Sequence, residues 1–326
     1  MDRRRLLQHG LAASAALAMG APNARAQRGF PERPMKLVVP FPPGGPYDVI
    51  ARLYARKMGE VLGQPMVVEN KAGGETSIGA ADVARASPDG YTLLMGGSPT
   101  HVFAPAIMPN PPYDAMKDFT PLAVTGVETL SIIVAANSPV KTLKDLEALA
   151  KASPGKLNYG DTAPSAQLAV EMFKSQAGQL DIVGVPYRGF VPSIQDLIAG
   201  HIQVMPALVG AALNFHQQGT VRILAVFSEK RLPSLPDVPT GIEAGYPNLV
   251  LWTFSMLCTT GGVPAPVVER LHLATQKVLH DEEFIKFQKD RGIEPVLDSS
   301  PERATKFVAD QIARLTPTII ALRRKN

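Results

Sequence analysis

The segment VPFPPGGPYD, residues 39–48, has the composition of a loop that binds an anion. Its two glycines permit close approach by a ligand, and an amphipathic stretch that predicts a helix follows at once. The first backbone N–H groups of a helix have no internal partner and lie at the positive end of its dipole, so they suit a carboxylate. The candidate contacts in this segment are Phe41, Gly44, Gly45, Pro46, Tyr47 and Asp48.

Two interpretations of this segment need no ligand. Proline and glycine pairs are common in tight turns, so the loop could simply join a strand to a helix. Asp48 could cap that helix, because aspartate is a preferred capping residue. Pro46 suits the first helical turn, although it removes one possible donor.

Short apolar runs alternate with amphipathic segments along most of the chain, which predicts parallel strands joined by helices. The predicted strands are 35–40, 65–69, 91–95, 130–135, 157–159, 182–185, 201–205, 222–225 and 251–258. The predicted helices are 48–62, 77–86, 142–151, 165–177, 192–199, 266–280 and 301–322. The expected fold class is α/β, with two doubly wound domains.

Two domains are expected because about 300 residues exceed the size at which a single core usually stops growing. We predict that domain 1 comprises residues 27–126 and 252–326, and that domain 2 comprises residues 127–251. The chain would cross between them near 124–129 and near 249–253. Two crossing strands make a hinge, and hinged closure around a ligand is a common use of this architecture.

Residues 1–26 have the pattern of a cleaved export signal. The basic stretch DRRRLLQ at 2–8 precedes a short apolar run at 11–19 and a small-x-small exit, ARA, at 24–26. The apolar run is too short to cross a bilayer. The twin-arginine and general secretory routes both fit this segment, and a free amphipathic helix is the alternative without export.

Composition argues against several classes of protein. Most of the net charge of +4 belongs to residues 1–26, which contain four Arg and one Asp, and no basic cluster suggests a nucleic-acid binder. Cys258 is the only cysteine, so no intramolecular disulfide or lipid anchor is expected, and its apolar surroundings predict an inert thiol. The histidines lack metal-ligand spacing, and no phosphate loop or dinucleotide fingerprint is present, so we expect no metal and no cofactor.

Several motifs in order along the chain resemble one family. They are FPPGG at 41–45, GQP at 63–65, VEN at 68–70, PDGYTL at 88–93, VPYRG at 185–189 and LPDVPT at 235–240. With these motifs the chain is similar to the substrate-binding receptors of tripartite tricarboxylate transporters, also called Bug-type receptors, over nearly all of residues 27–326. The resemblance implies a periplasmic binding protein of the Venus-flytrap type, a monomer without catalytic activity that delivers a small organic acid to membrane permease subunits.

The resemblance also implies that two loops, one from each domain, hold the ligand carboxylate. The second loop corresponds to GDTAPSAQ at 160–167, again between a predicted strand and helix. Its candidate contacts are Asp161, Thr162, Ala163, Ser165 and Gln167; further candidates are Ser98, Thr100 and His101 at a strand end that faces the cleft in that fold, and Tyr187, Arg188 and Ala207.

Some of these residues depart from the family pattern. Asp161 replaces a small neutral residue, and it could repel an anion, receive an amino or amide group, or cap the helix that follows. Tyr47 could narrow the pocket or stack on a ring, and Gln167 replaces a histidine. Ala207 lies where relatives that bind amino acids carry an aspartate, which favours a ligand without a free α-amino group. Trp252 could form a core or hinge contact or stack on the ligand.

Two other functions are alternatives to transport. A ligand sensor that docks with a membrane sensor kinase would use the same closed state, so the residues do not separate it from a transport receptor. A secreted serine hydrolase needs a G-x-S-x-G elbow or an equivalent activated nucleophile. The segment GGSPT at 96–100 lacks that elbow.

Overall fold

The computed structural model describes residues 29–323, which form two α/β lobes. The predicted export signal, residues 1–26, lies outside the described residues. The strands are β1 Met35–Val39, β2 Met66–Asn70, β3 Thr92–Gly97, β4 Phe119–Ala135, β5 Leu157–Asp161, β6 Ile182–Pro186, β7 Met205–Leu208, β8 Val221–Val226, β9 Trp252–Thr260 and β10 Glu294–Pro295. The helices are α1 Pro46–Leu62, α2 Ser77–Ala84, α3 Ala104–Ile107 (preceded by a π-helical turn, Pro99–Phe103), α4 Leu143–Ala152, α5 Pro164–Gln176, α6 Phe190–Ala199, α7 Val209–Gln217, α8 Ala265–Leu279, α9 Glu282–Lys289 and α10 Pro301–Arg323.

The sheet of the first lobe has the strand order β10-β4-β9-β3-β1-β2. Strands β1, β2 and β3 are parallel, whereas β9 runs antiparallel to both β3 and β4. It follows that β4 leaves this lobe in the direction in which β1, β2 and β3 run. The carboxyl ends of these three strands therefore point toward the second lobe.

Strand β4 continues into the second lobe, where it pairs antiparallel with β7 and β8. A parallel bridge from Tyr159 to Val204 links β5 to the start of β7, and β5 is parallel to β6. Strands β5, β6 and β7 consequently run against β4, so their carboxyl ends point back toward the first lobe. The two sets of strand ends face each other across the segment where β4 crosses.

Helices cover both faces of the first sheet, because successive side chains of a strand point to opposite faces. Leu37 of β1 packs in the cluster that contains Tyr54 of α1 and Leu271 of α8. Its neighbour Val38 packs on the other face in the cluster that contains Val308 of α10. The first lobe is thus a three-layer α/β structure, and both layers of helices fix the position of β1.

The sequence predicted most elements within a few residues, but several features differ. The predicted strand at 130–135 is the second half of a longer strand, β4, which begins at Phe119 and contains the predicted crossing at 124–129. The predicted strand at 201–205 is wrong, because regular pairing runs over Met205–Leu208. Helices α7 and α9 were not predicted: α7 is mainly apolar and lacks a polar face, and α9 is only eight residues long. Within residues 29–323, no helix is both long and apolar enough to span a bilayer.

A capping box fixes the start of α4. The Thr142 hydroxyl accepts from the Asp145 N–H at 3.1 Å, and the Asp145 carboxylate accepts from the Thr142 N–H at 2.9 Å. We expect Thr142→Ala to lower the free energy of unfolding by about 1 kcal/mol, whereas Thr142→Ser keeps the acceptor and most of the stability. Urea denaturation measures the difference, and equal midpoints for the two variants would contradict the expectation.

Candidate functional site

The space between the facing strand ends is the candidate ligand cleft. On the first-lobe side β3 ends at Gly97, which is level with Ser255 of β9 and hence with Gly126 of β4. On the second-lobe side β7 ends at Leu208, which pairs with Leu130 of β4. Four residues of extended strand separate the two levels, a gap of roughly 13 Å at 3.3 Å per residue. A small metabolite fits such a gap.

The first-lobe loop presents a helix start without a side-chain cap. Gly45 is the N-cap residue of α1, no side chain accepts from the first turn, and Pro46 opens the helix. Gly44 has a φ of 79°, a conformation that glycine adopts without strain. The N–H groups of the first turn are therefore directed into the cleft with no intrahelical acceptor, which is the arrangement that binds anions.

Asp48 braces this loop. Its Oδ2 accepts from the Gly44 N–H at 2.8 Å and from Arg52 Nε at 2.9 Å, and its Oδ1 accepts from Asn70 Nδ2 at 2.9 Å. The hydrogen bond from Arg52, together with those from Gly44 and Asn70, lowers the pKa of Asp48 to about 2 in spite of burial. Both oxygens are occupied and the side chain is buried, so Asp48 holds the loop in shape rather than contacting the ligand.

Tyr47 lies over the first residues of β9. Its ring stacks on Phe41 with centroids 4.2 Å apart, and its hydroxyl donates to the Phe254 carbonyl at 3.4 Å. Burial, and secondarily the charge of Glu128, raise the pKa of Tyr47 far above its usual value. The phenol is therefore a neutral group that narrows the cleft on the first-lobe side.

The second-lobe loop repeats the same design. Strand β5 ends at Asp161, Ala163 is the N-cap residue of α5 without a side-chain cap, and Pro164 opens the helix. The side chains of Thr162, Ser165 and Gln167 are partly exposed and form no hydrogen bond within the described residues. A second start of a helix, with polar side chains still unpaired, thus faces the first across the cleft.

Of the three interpretations of Asp161, capping of α5 is wrong, since Ala163 is the N-cap residue and no side chain caps the helix. Burial raises the pKa of Asp161, and the Ala163 N–H partly opposes this. The main chain of Asp161 is held by the Tyr187 N–H, which donates to its carbonyl at 2.8 Å. Asp161 therefore contributes a partly buried carboxyl to the second-lobe loop.

Ser98, Thr100 and His101 do not lie on the cleft surface, which corrects the expectation for them. All three side chains are buried. The Ser98 hydroxyl accepts from the Phe254 N–H at 3.0 Å, and Thr100 Oγ1 lies 2.8 Å from His101 Nδ1. The π-helical turn directs His101 into a separate cavity of about 630 Å³ beside α10. Burial lowers the pKa of His101 to about 4, so it is neutral.

The remaining candidates of the second lobe fall into two groups. The Tyr187 hydroxyl donates to Asp196 Oδ2 at 2.6 Å, and Ala207 is buried opposite Ser131 in the sheet, so both are committed within their lobe. Arg188 is exposed and forms no ion pair or hydrogen bond with residues 29–323. Of the three, only Arg188 has a free functional group.

Sequence reasoning missed Glu128. This residue lies midway between the two levels of strand ends, and its side chain shares a face with Thr253 of β9. Burial raises its pKa to about 7. A charged residue inside an otherwise apolar stretch at the predicted domain crossing was the available signal.

Two further features of the described residues concern Trp252 and the possible metal ligands. Trp252 lies 4.6 Å below the Arg314 guanidinium of α10 and lines a cavity of about 680 Å³ with that helix, which supports a hinge contact rather than ligand stacking. Within the same part of the chain, no group of three or more His, Cys, Asp or Glu side chains is arranged to hold a metal ion.

Comparison with known proteins gives one consistent family. The family model described as "Tripartite tricarboxylate transporter family receptor" matches residues 50–323. Protein BugT of Bordetella pertussis is 32% identical over 288 residues, covering 87% of this chain and 88% of that protein. MatC from Rhodopseudomonas palustris with bound malate has a TM-score of 0.77 at 30% identity, covering 89% of this chain and 100% of that one. The R. palustris protein Rpa4515 with adipate has a TM-score of 0.78 at 31% identity, covering 89% and 97%.

Proposed function

This chain belongs to the tripartite tricarboxylate transporter receptor family, and from that premise we propose that it is a periplasmic receptor for a small carboxylate. It holds the ligand between its lobes and delivers it to the membrane permease of a tripartite transporter. The observation that carries the proposal is the pair of uncapped, proline-led helix starts, α1 and α5, at facing strand ends. Neither the capture of the ligand nor its delivery requires a catalytic group or a second copy of the chain.

The binding free energy expected for such a site is in the range that a receptor for a small ligand needs. Each hydrogen bond from a backbone N–H to a carboxylate contributes about 1.5–3 kcal/mol. Four or five of them, reduced by the cost of ordering the ligand and closing the lobes, correspond to micromolar affinity at about −8 kcal/mol. Backbone donors therefore suffice without an arginine clamp. The malate and adipate bound to the two R. palustris relatives support a carboxylate as the ligand.

The proposed motion is hinged closure at the two crossings. Pairing of β4 passes from β9 to β7 between Thr129 and Leu130, and β9 begins at Trp252 directly after Leu251. We assign residues 27–126 with 252–326 to one moving body and 127–251 to the other, with residues 1–26 as an export signal for the twin-arginine or the general secretory route. Uptake of ligand into membrane vesicles that depends on added receptor distinguishes transport from signalling through a sensor kinase.

A thermal-shift screen identifies the ligand class. Monocarboxylates and dicarboxylates, including malate and adipate, are compared with their amides. A ligand present at 100 times its dissociation constant stabilises the protein by about 2.7 kcal/mol. Stabilisation by carboxylates and not by their amides is the expected result.

A substitution at Gly45 locates the bound carboxylate. Gly45 has an ordinary φ of −76°, and a Cβ there would meet only the Pro42 carbonyl, at 3.4 Å. We expect Gly45→Trp to fold normally and to raise the Kd of the bound carboxylate at least tenfold, because the indole fills the cleft. Val67→Trp, on the exposed start of β2 away from the cleft, is the matched control. Unchanged affinity in Gly45→Trp would rule out this site.

A further inference from the structure

Glu128 occupies the one stretch of β4 that belongs to neither set of strand ends. Its neighbours Val127 and Thr129 point to the opposite face of the strand, where they line a cavity of about 240 Å³ with Lys289 and Glu294. Glu128 points to the other face, together with Thr253, and its charge acts on Tyr47. The carboxyl therefore lies on the floor of the cleft, between the first-lobe loop and the second lobe.

The Glu128 carboxyl is an acceptor without a donor. It is partly buried, and it forms no hydrogen bond and no ion pair with any residue from 29 to 323. Arg52, the arginine that pairs with the first-lobe loop, is engaged by Asp48 and Asn70. A buried charge is normally paired, whereas this partly buried carboxyl has no partner among the described residues and is open to a cationic group of a ligand in the cleft.

We propose that Glu128 determines the specificity of this receptor by binding an ammonium group on the ligand, so that the preferred ligand is a carboxylate that also carries a protonated amine. This inference rests on the proposed function and deepens it. The two helix starts hold the carboxylate, and Glu128 receives the amine from the floor of the cleft. It replaces the expectation, drawn from Ala207, that the ligand lacks an α-amino group: the carboxylate absent from β7 is supplied by β4.

The protonation of Glu128 gives the proposal a signature in the unmodified protein. With a pKa of about 7, raised by burial, the free carboxyl is about half protonated at neutral pH. An ammonium ligand binds the ionised form, so its affinity rises as the pH rises through 7, by about tenfold between pH 6 and pH 8. A ligand with a carboxylate at this position would show the opposite dependence.

The expected pH dependence belongs to Glu128 and not to the other groups near it. Tyr47 on α1 has a raised pKa and stays neutral in this range, while Thr253 on β9 does not titrate. Lys289 and Glu294 lie with the opposite face of β4. Asp161 belongs to the second-lobe loop, and the Glu128 variant separates its contribution from that of Glu128.

The test compares acids with their α-amino counterparts by calorimetry on the full exported chain. The probes are monocarboxylates and dicarboxylates of two to six carbons, with succinate against L-aspartate and glutarate against L-glutamate as central pairs. We expect the amino member to bind at least tenfold more tightly. Glu128→Gln, which keeps the shape, raises the Kd of the amino member by about 10- to 100-fold and removes the preference. Glu294→Gln, an exposed glutamate on the adjacent strand β10, leaves the preference intact.

The outcomes separate this inference from the proposed function. If acids without an amino group bind as tightly as their α-amino counterparts, or if Glu128→Gln keeps the preference for the amino member, Glu128 does not bind an amine. The proposed receptor function would still stand. If no acid of either series binds, both fail. Should Glu128→Gln not fold, the pH dependence of L-aspartate binding to the unmodified protein decides, and affinity that falls from pH 6 to pH 8 overturns the inference.

Discussion

Gly97→Ala is expected to destabilise the protein by at least about 3 kcal/mol. Gly97 ends β3 with a φ of 152°, and a Cβ at this position would lie 2.0 Å from the Phe254 carbonyl oxygen. The clashing atom belongs to the main chain of β9, which cannot move aside without breaking its pairing with β3 and β4. Overpacking of a core typically costs about 1–3 kcal/mol, and the unfavourable φ adds about 1–2 kcal/mol.

Gly44→Ala is the matched control for this substitution. Gly44 also has a positive φ, of 79°, but a Cβ there would have no neighbour within 4 Å. We expect it to cost only the backbone strain, about 1–2 kcal/mol. Chemical denaturation of both variants measures the difference, and a Gly97→Ala midpoint at or above that of Gly44→Ala would show that β9 adapts to the added methyl group.

The fold was predictable from the sequence because its elements are locally encoded. The apolar run at Met35–Val39 reflects a strand that is buried on both faces, and the three-to-four spacing in α1 reflects a helix that is buried on one face. Both predicted elements match the structure within two residues. The single long strand β4 was not predictable in this way. Its pairing changes partner from β9 to β7 in mid-strand, and periodicity within a strand carries no information about which strand lies beside it.

The parts of the candidate site that depend on backbone geometry were predictable from the sequence. The parts that depend on the direction of a side chain were not. Proline and glycine at 42–46 and proline at 164 marked two helix starts, and both are present. Ser98, Thr100 and His101 were misassigned because a π-helical turn directs them inward, and such turns have no strong sequence signal. Glu128 was overlooked because its importance depends on the gap between the lobes, which follows only from the strand register.

Asp48→Ala is expected to cost about 3 kcal/mol of stability and to weaken carboxylate binding at least tenfold. The substitution leaves the Gly44 N–H and the Asn70 amide without the acceptor that now holds them at 2.8 and 2.9 Å. Each hydrogen bond to a charged group such as the Asp48 carboxylate contributes about 1.5–3 kcal/mol. Binding suffers because the glycine turn that directs the first N–H groups of α1 into the cleft loses its brace, and urea denaturation and calorimetry measure the two effects.

Glu60→Ala is the matched control on the same helix. Glu60 also pairs with an arginine four residues away, Arg56, but both side chains are about half exposed. Exposed pairs of this kind contribute about 0.3–0.5 kcal/mol, so the variant is expected to bind and unfold much like the unmodified protein. An equal loss of stability in the two variants would mean that the Asp48 network is no more than a surface ion pair.

The pH dependence of unfolding is a second test of the hydrogen bonds that the Asp48 carboxylate accepts. The pKa of Asp48 is lowered from an ordinary 3.8 to about 2, chiefly by Arg52. A carboxyl with a lowered pKa stabilises the folded state fully above its unfolded pKa, and this contribution is lost as the pH falls from about 4 to 2. The unmodified protein is therefore expected to lose about 2 kcal/mol more than Asp48→Ala over this interval. Parallel stability curves for the two proteins from pH 5 to pH 2 would exclude Asp48 as an ionised brace of the loop.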